Sequence, residues 1–257
     1  MNEYVIGLLT IATGKYIEFL PGLYSSIDEN FLKSNRIQCY LFTDNIEEAR
    51  KMIPSTSDRL DYHFFEIKRH GFPGDTLYRY RHFSTLSDRL SKHGLEKPDF
   101  LFYSDADMLI VDSVGQEILP RESNGLIATA HPGFYRGKTP AHPLGTPETR
   151  PESKAFIPNN RYRPCYVAGG FNGGAYDAFI TMSREISSNI DNDHERGIIA
   201  VWHDESHLNE YVTRPENLTN LKIMIPSYCF AEYNNPQRVG YPAKIVALDK
   251  DHAEVRS

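Results

Sequence analysis

The stretch Phe100-Leu101-Phe102-Tyr103-Ser104-Asp105-Ala106-Asp107-Met108-Leu109-Ile110 drives two carboxylates, one residue apart, into otherwise apolar sequence. Burying like charges needs a compensating cation, because an unpaired carboxylate in apolar surroundings either takes up a proton or destabilises the fold. Two readings follow from this segment alone. In one, Asp105 and Asp107 end a strand and share a divalent metal; hard oxygen donors favour Mn²⁺ or Mg²⁺ over zinc, and such an ion commonly brings a diphosphate. In the other, the pair is an acidic turn after a buried strand.

Outward from this stretch, strands alternate with helices. Glu3 to Ile11 is an apolar run rich in β-formers, and Tyr16, Phe19, Leu20, Leu23, Ile27 and Phe31 then recur at helical spacing. A second strand covers Gln38 to Thr43 and ends in Asp44-Asn45. A third, Tyr62 to Ile67, leads to a helix with Asp75 as its N-cap and Leu77, Tyr80, Phe83, Leu86 and Leu90 on one face. Strand Asp99 to Ser104 then delivers the paired aspartates. The alternation predicts an α/β fold with a mostly parallel central sheet, in which ligands collect at the carboxyl ends of the strands. From Gly133 to Pro164 the pattern dissolves into Pro, Gly and charged residues, as in a lid, a binding loop or a disordered segment. A short strand (Cys165 to Ala168), a glycine cluster, a helix over Ala175 to Ile190 and another over Asp204 to Val212 follow. The final dozen residues are polar and read as mobile.

The 257 residues carry no linker, charge block or repeat, so a single domain over 1–257 is the economical reading. A formal net charge of −6 argues against nucleic acid, which demands a basic surface. A smaller anion needs only a metal and a few local cations. Cys39, Cys165 and Cys229 are odd in number and follow no CxxC spacing, which suggests neither disulfides nor zinc and fits a reducing cytoplasm. The N-terminal apolar run is too short for a membrane span or a secretory signal.

Trp202-His203-Asp204-Glu205-Ser206-His207-Leu208-Asn209 packs acid, base and indole side chains into one helical opening. His203 and His207 stand four apart as in HExxH, but Asp204 occupies the position that motif reserves for glutamate. Asp204 and Glu205 could simply favour a helix N-terminus. A carboxylate beside Trp202 also suits glycosyl chemistry, which passes through an oxocarbenium-like state. The run Ala168-Gly169-Gly170-Phe171-Asn172-Gly173-Gly174 fails the dinucleotide spacing, yet its glycines would let a bulky ligand lie against backbone. Leu109 stands where a haloacid-dehalogenase-type phosphatase wants Thr or Val, which weakens a phosphoaspartate mechanism at Asp105-x-Asp107. His131 and the aromatic rings of Phe134 and Tyr135, at a strand exit, suit sugar recognition, although one histidine by itself is more often structural.

Together the segments resemble glycosyltransferase family 6, the retaining enzymes that include the histo-blood-group A and B transferases and soluble bacterial relatives. The resemblance rests on Ala12-Thr13-Gly14-Lys15-Tyr16, Tyr40-Leu41-Phe42-Thr43-Asp44, Asp105-Ala106-Asp107-Met108, Glu117-Ile118-Leu119, His131 to Tyr135, Ala155-Phe156-Ile157-Pro158, the glycine run, Trp202 to Asn209, and Lys250 with Val255-Arg256. It implies a Rossmann-like GT-A fold, a UDP-sugar donor and transfer with retention to the 3-hydroxyl of a galactoside. It further implies that Asp105 and Asp107 hold the metal and diphosphate, Ile11 and Tyr16 seat uracil, Arg79 contacts the donor, and Lys250 and Arg256 close a tail on the diphosphate. Glu205 matches the catalytic glutamate, Asp204 a sugar-binding neighbour, and His131 and Trp202 acceptor contacts.

Two departures matter. Ile11 replaces an aromatic residue of vertebrate members, which puts stacking on uracil in doubt there. Asp105-Ala106-Asp107 differs from the Asn-x-Asn of metal-free bacterial members, so the resemblance implies a Mn²⁺-dependent (or Mg²⁺-dependent) enzyme, soluble and of bacterial or phage type. Small residues at Ala168, Gly169 and Gly170 favour N-acetylgalactosamine over galactose. The competing classes are a metal-dependent phosphohydrolase and a non-catalytic glycan-binding module.

Overall fold

The structure, a computed structural model, describes residues 4–53 and 57–255. Seven strands form the main sheet: β1 (Ile6–Ala12), β2 (Ile37–Thr43), β3 (Leu60–Glu66), β4 (Phe100–Ser104), β6 (Leu126–Ala130), β9 (Val167–Ala175) and β10 (Leu221–Met224), in the order β10-β6-β9-β4-β1-β2-β3. β1 pairs parallel with β2 and β4, β2 with β3, and β6 with β10, whereas β9 runs antiparallel to both neighbours. The near-continuous apolar reading of β1, β2 and β4 is that of strands buried on both faces. One apolar layer, with Leu23, Tyr24, Ile27 and Phe102, lies under α1 (Leu20–Asn30); the other, with Tyr80, Phe83, Tyr103 and Phe179, lies under α4 (Arg79–Ser84) and α6 (Tyr176–Glu195). This mixed α/β architecture, mostly parallel and flanked by helices, is consistent with a GT-A fold. No helix of the described residues is long and apolar enough to cross a membrane.

The expected strands and helices are present with shifts that have local causes. The segment after β1 first forms a 3-10 helix over Gly14–Phe19, and α1 begins only at Leu20 with Pro21 in its first turn. After β2 comes α2 (Ile46–Met52), capped by Asn45, whose side chain accepts from the Glu48 amide. Asp75 is not an N-cap: α3 (Gly74–Leu77) starts after Pro73, and Asp75 instead accepts from the Thr13 hydroxyl at 2.9 Å and the His70 amide at 2.6 Å. The helix expected from Asp75 is three pieces, α3, α4 and α5 (Leu86–His93), although its predicted apolar face is buried. The long segment after His131 has little regular structure beyond a hairpin of β7 (Tyr135–Arg136) and β8 (Thr139–Pro140), yet Glu148, Ser153, Ala155 and Ile157 within it are buried.

Two expectations are overturned. The glycine run is strand throughout, β9 extending from Val167 to Ala175, because pairing on both sides outweighs poor β-propensity. The tail, read as mobile, is tied to the fold at several points as far as Val255, although residues 249 and 251–254 are exposed. β5 (Met108–Ile110) leaves Asp107 and pairs antiparallel with β12 (Ile245–Ala247), which also pairs with β11 (Phe230–Ala231). The Leu248 amide then donates to the Asp107 carbonyl at 3.0 Å, and α10 (His252–Val255) buries Val255. Short helices α8 (Pro215–Leu218) and α9 (Pro236–Val239) complete the connections around α7 (His203–Val212).

Candidate functional site

Three parallel strands end together, and their carboxyl ends deliver the polar residues. Asp44 after β2 accepts from the Gly14 amide at 3.0 Å, Thr13 follows β1, and Asp105 follows β4. Gly14 has φ +53°, a conformation that favours glycine, and lets the Arg69 guanidinium lie close over its backbone. A cleft opens over these ends, lined among others by Ile11, Tyr16, Phe72, Arg79, Asp105, Asp107, Lys250 and Val255. The expected donor-binding residues of the first half of the chain and Lys250 of the tail therefore share one cavity. Arg256 lies outside the described residues.

β9 crosses this end with a bulge. Its register against β6 shifts between Ala128 and Thr129, leaving Gly169, Gly170 and Phe171 unpaired with β6. The Asn172 side chain spans the bulge to the Gly169 carbonyl at 3.0 Å, and the Gly170 carbonyl accepts from the Asp105 amide at 3.0 Å. A Cβ at Gly170 would lie 2.4 Å from Met108 Cε and 2.9 Å from Asp105 Oδ2. Ala168 is buried beside the bulge. The glycines thus allow β9 backbone to lie directly against Asp105.

Arg79 ties the two acidic motifs together. Its guanidinium is 3.3 Å from Asp105 Oδ1 and 2.9 Å from Asp204 Oδ2, donates to the Gly169 carbonyl at 3.1 Å, and lies 4.7 Å from the centre of the Tyr103 ring. Burial alone would depress Arg79, but Asp204, then Tyr103 and Asp105, hold it above its ordinary value. Tyr103 also donates to Asp105. Asp107 is paired with Lys250. Asp107 is buried and Asp105 half-buried, and each is paired with a cationic side chain of this chain. Among the described residues no group of three or more His, Cys, Asp or Glu side chains is arranged to hold a metal.

Asp204 and Glu205 open α7, after a turn in which His203 adopts φ +51° and sets its ring edge-on to Phe72. Asp204 is 1% exposed; neither of its oxygens receives an aligned hydrogen bond, and burial, opposed by Arg79, lifts its carboxyl to about 6. Glu205 retains some access to solvent and accepts from the Gly169 amide at 2.8 Å. Burial raises it to about 7, against the Gly169 bond, with Asp204 pushing in the same direction as burial. Asn209 locks α7 to β9 through bonds to both the amide and carbonyl of Val167, at 2.9 and 2.8 Å.

His131 caps a short 3-10 turn, accepting from the Gly133 amide at 3.0 Å, and burial depresses it to about 4, so the ring is neutral at physiological pH. It packs against Phe134 and Tyr166. Trp202 is 49% exposed and its indole N–H donates to Thr146. His207 is buried with its ring 3.7 Å from Asp193 on α6, whereas His203 sets its ring against Phe72.

Two residues escaped the sequence reading. Tyr166 faces Glu205 and favours its ionised form, while its ring fills the space beside Gly145, where a Cβ would lie 2.2 Å away. Tyr103 escaped as an apolar strand residue although it serves both Asp105 and Arg79. Tyr103 lies in β4 two residues before Asp105 and Tyr166 just before β9, but no local pattern marks which hydroxyl meets a carboxylate.

The geometry can be set beside known proteins. The model of glycosyltransferase family 6 matches residues 1–257. Histo-blood group ABO system transferase 1 of Rattus norvegicus is 30% identical over 263 residues, covering 100% of this chain and 70% of the relative. Globoside alpha-1,3-N-acetylgalactosaminyltransferase 1 of Homo sapiens is 29% identical over 255 residues, covering 98% of this chain and 68% of its own length. O-antigen biosynthesis glycosyltransferase WbnI of Escherichia coli is 26% identical over 251 residues, covering 96% and 95%. Matched from end to end, this chain belongs to glycosyltransferase family 6.

Proposed function

We propose that this glycosyltransferase is a retaining α-1,3 enzyme that moves N-acetylgalactosamine, or galactose, from a UDP-sugar to the 3-hydroxyl of a galactoside. The observation that carries the reading is the Asp105–Arg79–Asp204 chain with Glu205 on the Gly169 amide. It joins a charged end suited to a diphosphate to a carboxylate end suited to a sugar cation. The relative named as a globoside alpha-1,3-N-acetylgalactosaminyltransferase supports both the linkage and the donor sugar. Compact Ala168, Gly169 and Gly170 favour the N-acetyl group, a preference of about 1–3 kcal/mol at most for a small change in pocket volume.

Asp105 and Asp107 suit Mn²⁺ or Mg²⁺: both supply hard oxygens, and both already hold positive charge in Arg79 and Lys250. Held by these two carboxylates, the ion would supply Lewis-acid stabilisation of the departing diphosphate. Lys250 adds charge beside Asp107, and Tyr16 and Ile11 line the donor end of the cleft. The anomeric C–O bond to UDP breaks with its electron pair going to the diphosphate, and the acceptor oxygen bonds the anomeric carbon. The acceptor proton leaves with UDP. Glu205, ionised, stabilises the positive charge that develops on the sugar, while Asp204, buried and ion-paired with Arg79, serves the donor by holding that guanidinium beside Asp105. His131, neutral, and Trp202 accept the galactoside.

Glu205→Gln tests the assignment. Transfer from UDP-N-acetylgalactosamine to a galactoside is expected to fall by at least a hundredfold while calorimetric UDP binding is kept; full transfer in the variant would defeat the role. A UDP titration with and without Mn²⁺ separates this reading from a phosphohydrolase, which would release phosphate from simple monoesters, and from a glycan-binding module, which would ignore UDP.

A further inference from the structure

The Pro-rich segment before β9 runs alongside residues 199–202 and grips them with every second side chain. Thr146 accepts from the Trp202 indole N–H, Glu148 accepts from the Val201 amide at 2.9 Å, and Arg150 donates to the Ile199 carbonyl at 2.6 Å. Glu148 is the buried member, 2% exposed, and also accepts the Arg150 amide at 2.9 Å, its Nε at 2.9 Å and its Nη2 at 2.7 Å. Side chains at 146, 148 and 150 point the same way in extended chain, which explains the period of two. The segment is fixed in turn: Glu148 bridges to Phe156, and the Ile157 amide donates to the Glu148 carbonyl at 3.0 Å.

We propose that Glu148 is a positioning residue for the acceptor: through Val201 and Arg150 it holds the half-exposed Trp202 indole in the orientation that receives a galactoside. This rests on the proposed galactoside acceptor and names a residue outside the reacting groups. α7 does not depend on Glu148 for its attachment, since Asn209 fastens the helix to β9 separately. Donor residues Asp105, Asp107 and Arg79 make no contact with the ladder either. Glu148 therefore meets the site at Val201, next to Trp202, on the acceptor side. Arg150 holds its carboxyl near 2, so the grip is ionised over the whole working range of pH.

Trp202 is the sole tryptophan of the chain, so its emission reports the site directly. Acrylamide quenching and emission anisotropy of the full chain should be measured for the parent, Glu148→Gln and Thr146→Val, followed by titration with methyl β-galactoside and by steady-state transfer kinetics. In Glu148→Gln the indole should quench faster and tumble more freely. The galactoside KM should rise about tenfold, the scale of one lost charge-assisted hydrogen bond, with the UDP-sugar KM and UDP affinity unchanged. Thr146→Val, an exposed and nearly isosteric change, should do the same more weakly even where the Glu148 variant folds poorly. Parent-like quenching and galactoside KM in both variants would overturn the proposal, as would donor and acceptor KM rising together. If methyl β-galactoside leaves the parent's own emission unaltered and is not a substrate, the acceptor reading itself fails, and Glu148's role falls with it.

Discussion

Glu205→Gln should change stability in a pH-dependent way that isolates the cost of keeping this carboxylate under the bulge of β9. The folded protein raises Glu205 from 4.5 to about 7, burial being the main cause. Each tenfold displacement of a proton equilibrium is worth about 1.4 kcal/mol, so the displacement sets a ceiling of roughly 3 kcal/mol. Residual access of Glu205 to the cleft lowers the expectation to about 1–3 kcal/mol. The sign follows from the folded state holding the proton more tightly. The contribution of Glu205 is fully present below pH 4.5 and is lost as pH rises through about 7. Relative to the parent, the glutamine variant should therefore gain about 1–3 kcal/mol between about pH 4.5 and 8, measured as the difference in urea unfolding free energies. Asp204, raised to about 6, titrates in both proteins and largely cancels; relief of its repulsion by Glu205 adds in the same direction. Parallel stability profiles for the two proteins across this range would refute the argument. In the same range the parent's kcat/KM should rise with pH and level off above about 7, since the ionised form is the one that stabilises a sugar cation.

Arg79→Met should lower unfolding free energy by about 3–5 kcal/mol, because it strands Asp105 and Asp204 without their shared guanidinium; a thermal midpoint within 2 °C or so of the parent would contradict this. Gly170→Ala should destabilise by about 1–3 kcal/mol and weaken UDP binding, since its methyl would meet Met108 and Asp105, and calorimetry together with denaturation checks both. Asp105→Asn with Asp107→Asn should abolish stimulation of transfer by Mn²⁺, whereas unchanged activity of the parent in EDTA would remove the metal from the mechanism.

The opening stretch was legible because charge in an apolar strand is costly wherever the strand ends, and Asp105 does follow β4 at the carboxyl edge of the sheet. Alternation of strand and helix gave the order of β1, β2, β3 and β4 for the same local reason. β9 was not legible. Glycines carry no strand preference, and only the neighbours β4 and β6, invisible in a window of sequence, hold this run as a strand: Gly173 and Gly174 pair on both sides, while Gly169 and Gly170 form the bulge. Nothing local in the polar tail marks Lys250, which only the family resemblance placed at the site; the fold brings it to Asp107 once β12 pairs with β5. Glu148 and Tyr166 carry no motif at all. Their partners lie dozens of residues away, at Val201 and Glu205, so only the closed fold reveals them.

The charge balance of the site explains why these distant segments must meet. Asp105, Asp107 and Asp204 are paired with Arg79 and Lys250, Arg69 is a further cation lining the cleft, and Glu205 is raised to about 7. On the proposed UDP-sugar reading, a diphosphate would add negative charge beside these aspartates, where repulsion in a low-dielectric floor is strong, and a divalent ion held by Asp105 and Asp107 would offset it. Glu205, raised to about 7, is the reserve: it can stay protonated while the site is empty and ionise as positive charge forms on the sugar. The same burial that makes this carboxylate expensive to ionise in the resting fold thus makes its charge most effective when the glycosidic bond breaks.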